Sequence, residues 1–284
     1  MMLRGVRRRL DAEIVRRGLA SSRTEAQEAV LAGLVTVGGR PATKTSMMVD
    51  EAEPVVLAAP SIRRFVSRGG DKLDAALDRF GVDVAGRTCL DAGASTGGFT
   101  DCLIQCGAAR VFAVDVGYGQ LAWSLRNDPR VVVMERTNAR ALDPDSFDEV
   151  PSLVVADLSF ISLATVMPSL AAVAVPDAEY VLLVKPQFES RRQDVGKGGV
   201  VRDPEIWRSS ITSAMEACRS AGLTPRALMA SPLPGPAGNV EFLLHADAGE
   251  SGSAGTAESG SADSVTPDPG PDIDAAIREG MDLR

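Results

Sequence analysis

The chain has 284 residues, of which 45% are hydrophobic but only 4% aromatic, and a formal net charge of -8. This length supports one large domain or two ordinary ones with a core of Val, Leu and Ala, and it excludes fibrous proteins and small disulfide-stapled scaffolds. The charge is uneven: residues 1–72 hold 13 Lys and Arg against 8 Asp and Glu, while residues 246–284 hold 2 against 9, so a polyanionic partner is expected at the N-terminal end.

The start of the chain carries charges where a signal peptide needs an apolar run, and no stretch reaches about eighteen apolar residues. A cytoplasmic protein without a membrane span is expected. Val6, Leu10, Ile14 and Val15 recur at helical spacing, with Gly18 placed to end that helix. Ser22-Arg-Thr-Glu25 matches a capping box opening a second helix, which Gly33 closes. Leu34–Val37 reads as a strand entering a Gly38-Gly39 hairpin, and Val55–Leu57 as a later strand. These elements make a small α+β domain over residues 1–62. Arg63-Arg-Phe-Val-Ser-Arg-Gly-Gly70 reads as an interdomain linker over 63–70, with a helix beginning near Asp71.

From Thr88, short β-rich runs alternate with helical ones: Thr88–Asp91, Val111–Asp115, Val131–Met134, Leu153–Ala156 and Tyr180–Val184. Their continuous apolar character is that of parallel strands covered on both faces, so an open α/β sheet is expected over residues 71–246. Pro204–Ala221 is helical in pattern and Gly222 ends it. Two more strands around Arg226–Met229 and Asn239–Leu244 bring the sheet to seven. The acidic tail, 247–284, lacks any aromatic residue and is expected to be disordered, with at most a short helix near Asp274–Glu279. Cys89, Cys102, Cys106, Cys218 and His245 show no zinc spacing, so the cysteines read as small buried side chains and no metal is expected.

Asp91-Ala-Gly-Ala-Ser-Thr-Gly-Gly-Phe99 lies directly between a strand and a helix, where glycines let the backbone approach a ligand and expose amides at the helix start. Asp115 ends the next strand, where a ribose-binding carboxylate belongs, and the two features together point to a nucleoside-bearing cofactor. Asp157 and Lys185 each follow a strand, and the carboxyl ends of parallel strands form the ligand crevice of such sheets. Glu241 lies in the last strand candidate, and Lys72 opens the helix after the linker. In the basic head, Arg4, Arg7, Arg16, Arg17, Arg23 and Lys44 are candidate phosphate contacts.

Arg68-Gly-Gly-Asp-Lys-Leu73, the Leu90–Thr100 turn, Asp115-Val-Gly-Tyr-Gly-Gln-Leu121, Asp157-Leu-Ser-Phe-Ile-Ser162, Lys185-Pro-Gln-Phe188 and Ser231–Glu241 resemble, in this order, the TlyA family. The resemblance runs from about residue 4 to 245. It implies a Rossmann-like, FtsJ-like catalytic domain preceded by a ribosomal-protein-type RNA-binding module. It also implies S-adenosylmethionine-dependent 2'-O-methylation of cytidine ribose in 16S and 23S ribosomal RNA, with ribosomal subunits as partners. The basic start before Leu10 resembles members that act on both subunits. Lys72, Asp157, Lys185 and Glu241 take the positions of a catalytic tetrad. Asp91, Gly93, Ser95, Gly97, Gly98 and Phe99 would line the cofactor, and Asp115 would accept from its ribose. Lys185 would be the neutral amine that takes the hydroxyl proton, with Lys72 as a second cation and the carboxylates holding both amines. One departure is Phe65, where the family's Arg-x-Trp-Val linker pattern has Trp. Two other classes compete, a non-catalytic RNA-binding protein and the membrane-acting haemolysin of the family's older name; a dehydrogenase on the same scaffold would want a different phosphate fingerprint.

Overall fold

The computed structural model describes residues 7–20, 22–31, 33–57, 64–196, 198–248 and 270–283, and the chain divides into two units, Met1–Arg63 and Arg64–Arg284.

The first unit runs β1 (Arg7–Arg9), α1 (Leu10–Arg16), α2 (Arg23–Leu31), β2 (Val35–Val37), β3 (Arg40–Pro41), β4 (Met48–Asp50) and β5 (Val55–Leu57). β2 pairs with β3 and β5, and β1 pairs antiparallel with β4. The expected helix from Val6 therefore starts late. Three consecutive arginines offer no apolar face to a helix; their main chain pairs with β4 instead, and α1 begins where Leu10 can enter the core with Ile14, Val30 and Val35. Val6 itself lies outside the described residues. Gly18 and Gly33 do end the two helices in the left-handed region.

The second unit runs α3 (Arg68–Phe80), β6 (Thr88–Ala92), α4 (Gly98–Gln105), β7 (Arg110–Asp115), α5 (Trp123–Arg126), β8 (Val131–Glu135), β9 (Leu153–Ala156), α6 (Leu163–Ala172), β10 (Glu179–Val184), α7 (Pro186–Glu189), α8 (Pro204–Ser220), β11 (Thr224–Ala230), β12 (Phe242–Asp247) and α9 (Ile273–Asp282). The strands form one seven-stranded sheet in the order β11-β12-β10-β9-β6-β7-β8, and only β12 runs against its neighbours. Side chains alternate between two cores. Leu90, Leu182 and Val184 pack with Val166, Trp207 and Ile277 on one face; Cys89, Val181 and Leu183 pack with Leu73 and Leu103 on the other. The strand order reverses between β6 and β9, which opens the crevice at their carboxyl ends.

Two boundaries differ from expectation. The segment read as a linker is mostly built into the second unit: α3 starts at Arg68, Ser67 caps it by accepting from Gly69 N at 3.3 Å, and Phe65 is buried in the core beneath it. The two glycines serve packing. An added Cβ on Gly70 would overlap the ring of Phe65, and Gly98 of α4 abuts Gly69 and Gly70. The helix bearing Lys72 and the helix opening the glycine turn thus meet through bare backbone. The short helix expected near Asp274–Glu279 is α9, and beyond that expectation it is docked, burying Ala276 and Ile277 against the main core. Its apolar stripe is short, but it covers a face that the sheet would otherwise leave wet. Residues 249–269 lie outside the described residues.

Burying one phenylalanine contributes roughly 1.5–3 kcal/mol, and overpacking costs about 1–3 kcal/mol. Gly70→Ala is expected to lower unfolding stability by about 1–3 kcal/mol, read by urea denaturation, whereas Ala at the exposed, unobstructed Gly119 should show only a local backbone cost.

Candidate active site

The register of three strands assembles the expected tetrad. Val184 of β10 pairs with Phe242 of β12, so Lys185, which follows the first, and Glu241, which precedes the second, lie side by side. Asp157 follows β9, the neighbour of β10 on the other side. Lys185 Nζ lies 2.5 Å from Asp157 Oδ1 and donates to Ser159 Oγ at 3.2 Å. Lys72 Nζ reaches from α3 to Glu241 Oε2 at 2.5 Å. All four groups thus gather at one end of the sheet as two ion pairs. Each carboxylate holds one amine, Glu241 that of Lys72 and Asp157 that of Lys185.

Glu241 is 1% exposed and Lys72 6%. Removing one member of a buried pair costs about 3–5 kcal/mol, whereas replacing both by apolar groups is often neutral. Stability alone therefore does not require charges here, and this buried pair, next to a second, part-exposed one beside a crevice, points to chemistry.

The glycine turn lies on the same edge. Asp91 on β6 is fully buried; its Oδ2 accepts from Thr100 Oγ1 at 2.6 Å, while Oδ1 has no partner. Burial pushes its carboxyl up to about 7. Gly93 follows with φ +92, packed so close that a Cβ there would overlap the Asp157 carbonyl. Asp115, at the end of β7, accepts from Ser95 N at 2.8 Å and from Gly117 N at 2.6 Å, one bond on each oxygen. A carboxylate has about four acceptor positions, so both oxygens retain capacity. Gly93, Asp115, Asn138, Leu158 and Phe160 line a cavity of about 240 Å³. A larger groove, about 750 Å³, lies between α6 and α8 and contains none of the strand-end groups. Gly97 caps α4 at the turn, but Gly98 and Phe99 do not line the crevice as expected. Gly98 packs on α3 and Phe99 is 3% exposed in the core, so their contribution to a ligand is limited to main-chain amides.

Three neighbours escaped the sequence reading. Ser159 bonds to Lys185, and Phe160 is 88% exposed with φ +64, its ring 5.0 Å from that of Phe188. The signal was present in the residues directly after Asp157, where an aromatic follows a strand end without any apolar period to bury it.

In the first unit, Asp11 and Glu13 are fully buried acids ringed by arginines. Arg9 and Arg23 hold Asp11 well below the usual carboxylate range, with Gln27 assisting; Arg16 and then Arg17 hold Glu13 near 2. Arg17 is therefore a correction to the phosphate-contact set. All three of its nitrogens bond inside the unit, to Glu13, Glu53 and Glu51, and its side chain is 19% exposed. Arg7, Arg16, Arg23 and Lys44 keep solvent-facing charge, and Arg4 lies outside the described residues.

Cys89, Cys102 and Cys218 are buried as expected, and burial pushes the Cys89 thiol up to about 12. Cys102, Cys106 and Asp74 bring potential ligand atoms within 4.8 Å of one another, but Arg64 already occupies Asp74 at 2.5 Å.

An FtsJ-like methyltransferase family model matches residues 65–248, and an S4 domain model matches residues 8–55. A relative from Mycobacterium tuberculosis named 16S/23S rRNA (cytidine-2'-O)-methyltransferase TlyA is 56% identical over 238 residues, covering 84% of this chain and 89% of the relative. Hemolysin A of Brachyspira hyodysenteriae is 40% identical over 238 residues, covering 84% and 98%. A solved structure of a protein named as a hemolysin from Streptococcus thermophilus superposes with a TM-score of 0.71 at 36% identity, covering 98% of this chain and 96% of that one. Among the described residues no helix is long and apolar enough to cross a membrane.

The raised carboxyl of Asp91 sets a sign for stability. The folded state holds its proton up to about pH 7, while the unfolded chain releases it near 3.8, so stability falls as pH rises between these values. Asp91→Asn is expected to flatten that slope in thermal melts from pH 4 to 8, and to weaken binding of a cationic ligand at pH 8.

Proposed function

The chain belongs to the TlyA family of FtsJ-like methyltransferases, and we propose that it transfers the methyl group of S-adenosylmethionine to the 2'-hydroxyl of a cytidine ribose in ribosomal RNA of both subunits. The observation that carries this reading is the two lysine–carboxylate contacts beside a glycine turn, the buried pair Lys72 with Glu241 and the part-exposed pair Lys185 with Asp157.

The residues present suit that cofactor. Asp91 Oδ1 is a desolvated acceptor without a partner, fitted to an ammonium or amide donor, and Asp115 retains acceptor capacity for a ribose diol. Gly93 lets the turn pack directly on the Asp157 carbonyl, which brings the cofactor side of the crevice against the strand end that carries Asp157. When bound, the cofactor supplies a methyl group on a positively charged sulfur.

A ribose hydroxyl is a poor nucleophile while protonated. Lys185 is placed to take that proton once its own ammonium proton has passed to solvent, and Asp157 and Ser159 aim its Nζ. Positioned proton transfer contributes on the order of 10² to 10⁴ in rate. Glu241 and Lys72 fix the opposite side of the site, and alignment of hydroxyl with methyl supplies much of the remainder. The exposed ring of Phe160 offers a surface on which an unstacked base can lie; such stacking is worth about 1–3 kcal/mol per base.

The S4 unit supplies the electrostatic grip. Folded RNA presents phosphate and 2'-hydroxyls more readily than base edges, which suits arginines held in fixed directions by Asp11 and Glu13.

Two experiments test the reading. Lys185→Arg keeps the charge but cannot act as a neutral amine, so methyl transfer to isolated ribosomal subunits, followed by mass mapping of the product, is expected to fall by about 10² or more; near-normal turnover would remove Lys185 from the proton step. Lys44→Ala is expected to weaken RNA binding and reduce the slope of log affinity against log salt by somewhat under 1.

A further inference from the structure

α9 packs on β11 and α8, and its contacts converge on the main chain that carries Glu241. Glu279 Oε2 accepts from Ala230 N at 3.1 Å, at the last residue of β11. The next residue, Ser231, donates its amide to the carbonyl of Glu241 at 2.8 Å. Gly280 sits so close to the same loop that an added Cβ would lie 2.9 Å from Val240 Cγ1 and 3.4 Å from the ring of Phe242. Those are the two residues flanking Glu241.

The second oxygen of Glu279 faces the other limb of the site. Its Oε1 lies 2.9 Å from Arg79 Nη2, and Arg79 stands on α3 about two turns beyond Lys72, on the same side of that helix. One carboxylate thus joins the helix that delivers Lys72 to the strand end that holds the backbone of Glu241, and the side chains of those two residues meet at 2.5 Å. Arg79 and Glu279 are both part-exposed, and such a pair contributes little by itself. The burial of Ala276 and Ile277 holds α9 in place, and the Glu279 bonds set its register.

We propose that α9 is a positioning element for the Lys72–Glu241 pair, and that Glu279 is a positioning residue for methyl transfer. Glu279 does this by fixing the separation between α3 and the end of β11. The inference rests on the tetrad reading above, because it assigns the helix a task in the geometry of two of those four groups.

The test compares Glu279→Ala, Glu279→Gln and Arg79→Met in the full chain. Three quantities are read: kcat for methyl transfer to ribosomal subunits across pH 6 to 9, dissociation constants for S-adenosylmethionine and for RNA, and the acetylation rate of the Lys72 amine mapped by mass spectrometry. Glu279→Ala is expected to lower kcat about tenfold or more, displace the pH profile and expose Lys72 to acetylation, with both dissociation constants unchanged. Glu279→Gln, which can still accept from Ala230 N but offers no second carboxylate oxygen to Arg79, is expected to keep kcat above that of the alanine variant while displacing the pH profile and raising Lys72 acetylation as Arg79→Met does. Arg79→Met, a substitution at a solvent-facing site, is expected to displace the pH profile and raise Lys72 acetylation even if the alanine variant fails to fold. If the variants lower the thermal midpoint alone, leaving kcat, pH profile and acetylation at parent values, α9 is a structural cover and the proposal fails. If Lys72→Ala turns over like the parent chain, the tetrad reading fails instead, and the acetylation comparison still reports whether α9 positions Lys72.

Discussion

An ammonium group taken out of water must be met by an anion, and in the second unit that requirement organises everything around the crevice. Lys72 and Lys185 come from a helix and from a strand end, and each is received by a carboxylate from a third or fourth element. The sheet order makes this possible. β12 runs antiparallel to β10, so its entry, not its exit, lies at the carboxyl end of the parallel strands, and Glu241 arrives beside Lys185 from the opposite chain direction. Without that reversed strand the site would have two cations and one acid. The glycines of α3 and α4 belong to the same constraint, since their contact lets the helix carrying Lys72 approach the turn that starts at Asp91.

The first unit solves a related problem with opposite polarity. Among its described residues the two fully buried charged groups are acids, and the arginines around them are partly exposed. Each guanidinium loses rotamer freedom to Asp11 or Glu13 before any partner is met, which lowers the entropy cost of binding an anion later. Arg17 goes further and becomes internal, bonding α1 to the turn between β4 and β5. A count of basic residues overstates the charge such a unit presents outward.

Much of the fold was legible in the sequence because strands buried on both faces must be apolar throughout. Leu153–Ala156 and Tyr180–Val184 could hardly be anything else. The strand-end positions of Asp91, Asp115, Asp157 and Lys185 followed from those runs. What escaped depended on tertiary pairing. β4 is three residues long and carries no alternation that a reader would notice, so β1 had no visible partner and its arginines were given to a helix. Gly69-Gly70 reads as the end of a linker because glycine permits both a loose connection and close approach, and only the position of Phe65 distinguishes them. Which carboxylate holds which amine depends on a register between non-adjacent segments that spacing does not encode. α9 was visible as a short helical stretch, but its docking depends on a cleft between β11 and α8 formed by residues far upstream.

Lys72 and Glu241 are separated by 169 positions of chain, and the second of them enters the sheet only when β12 slots between β10 and β11. A polypeptide still emerging from a ribosome can close the N-terminal unit and several parallel strands, but it cannot complete the pocket until β12 has been translated. Competence for methyl transfer therefore comes only after the other six strands of the sheet have been made.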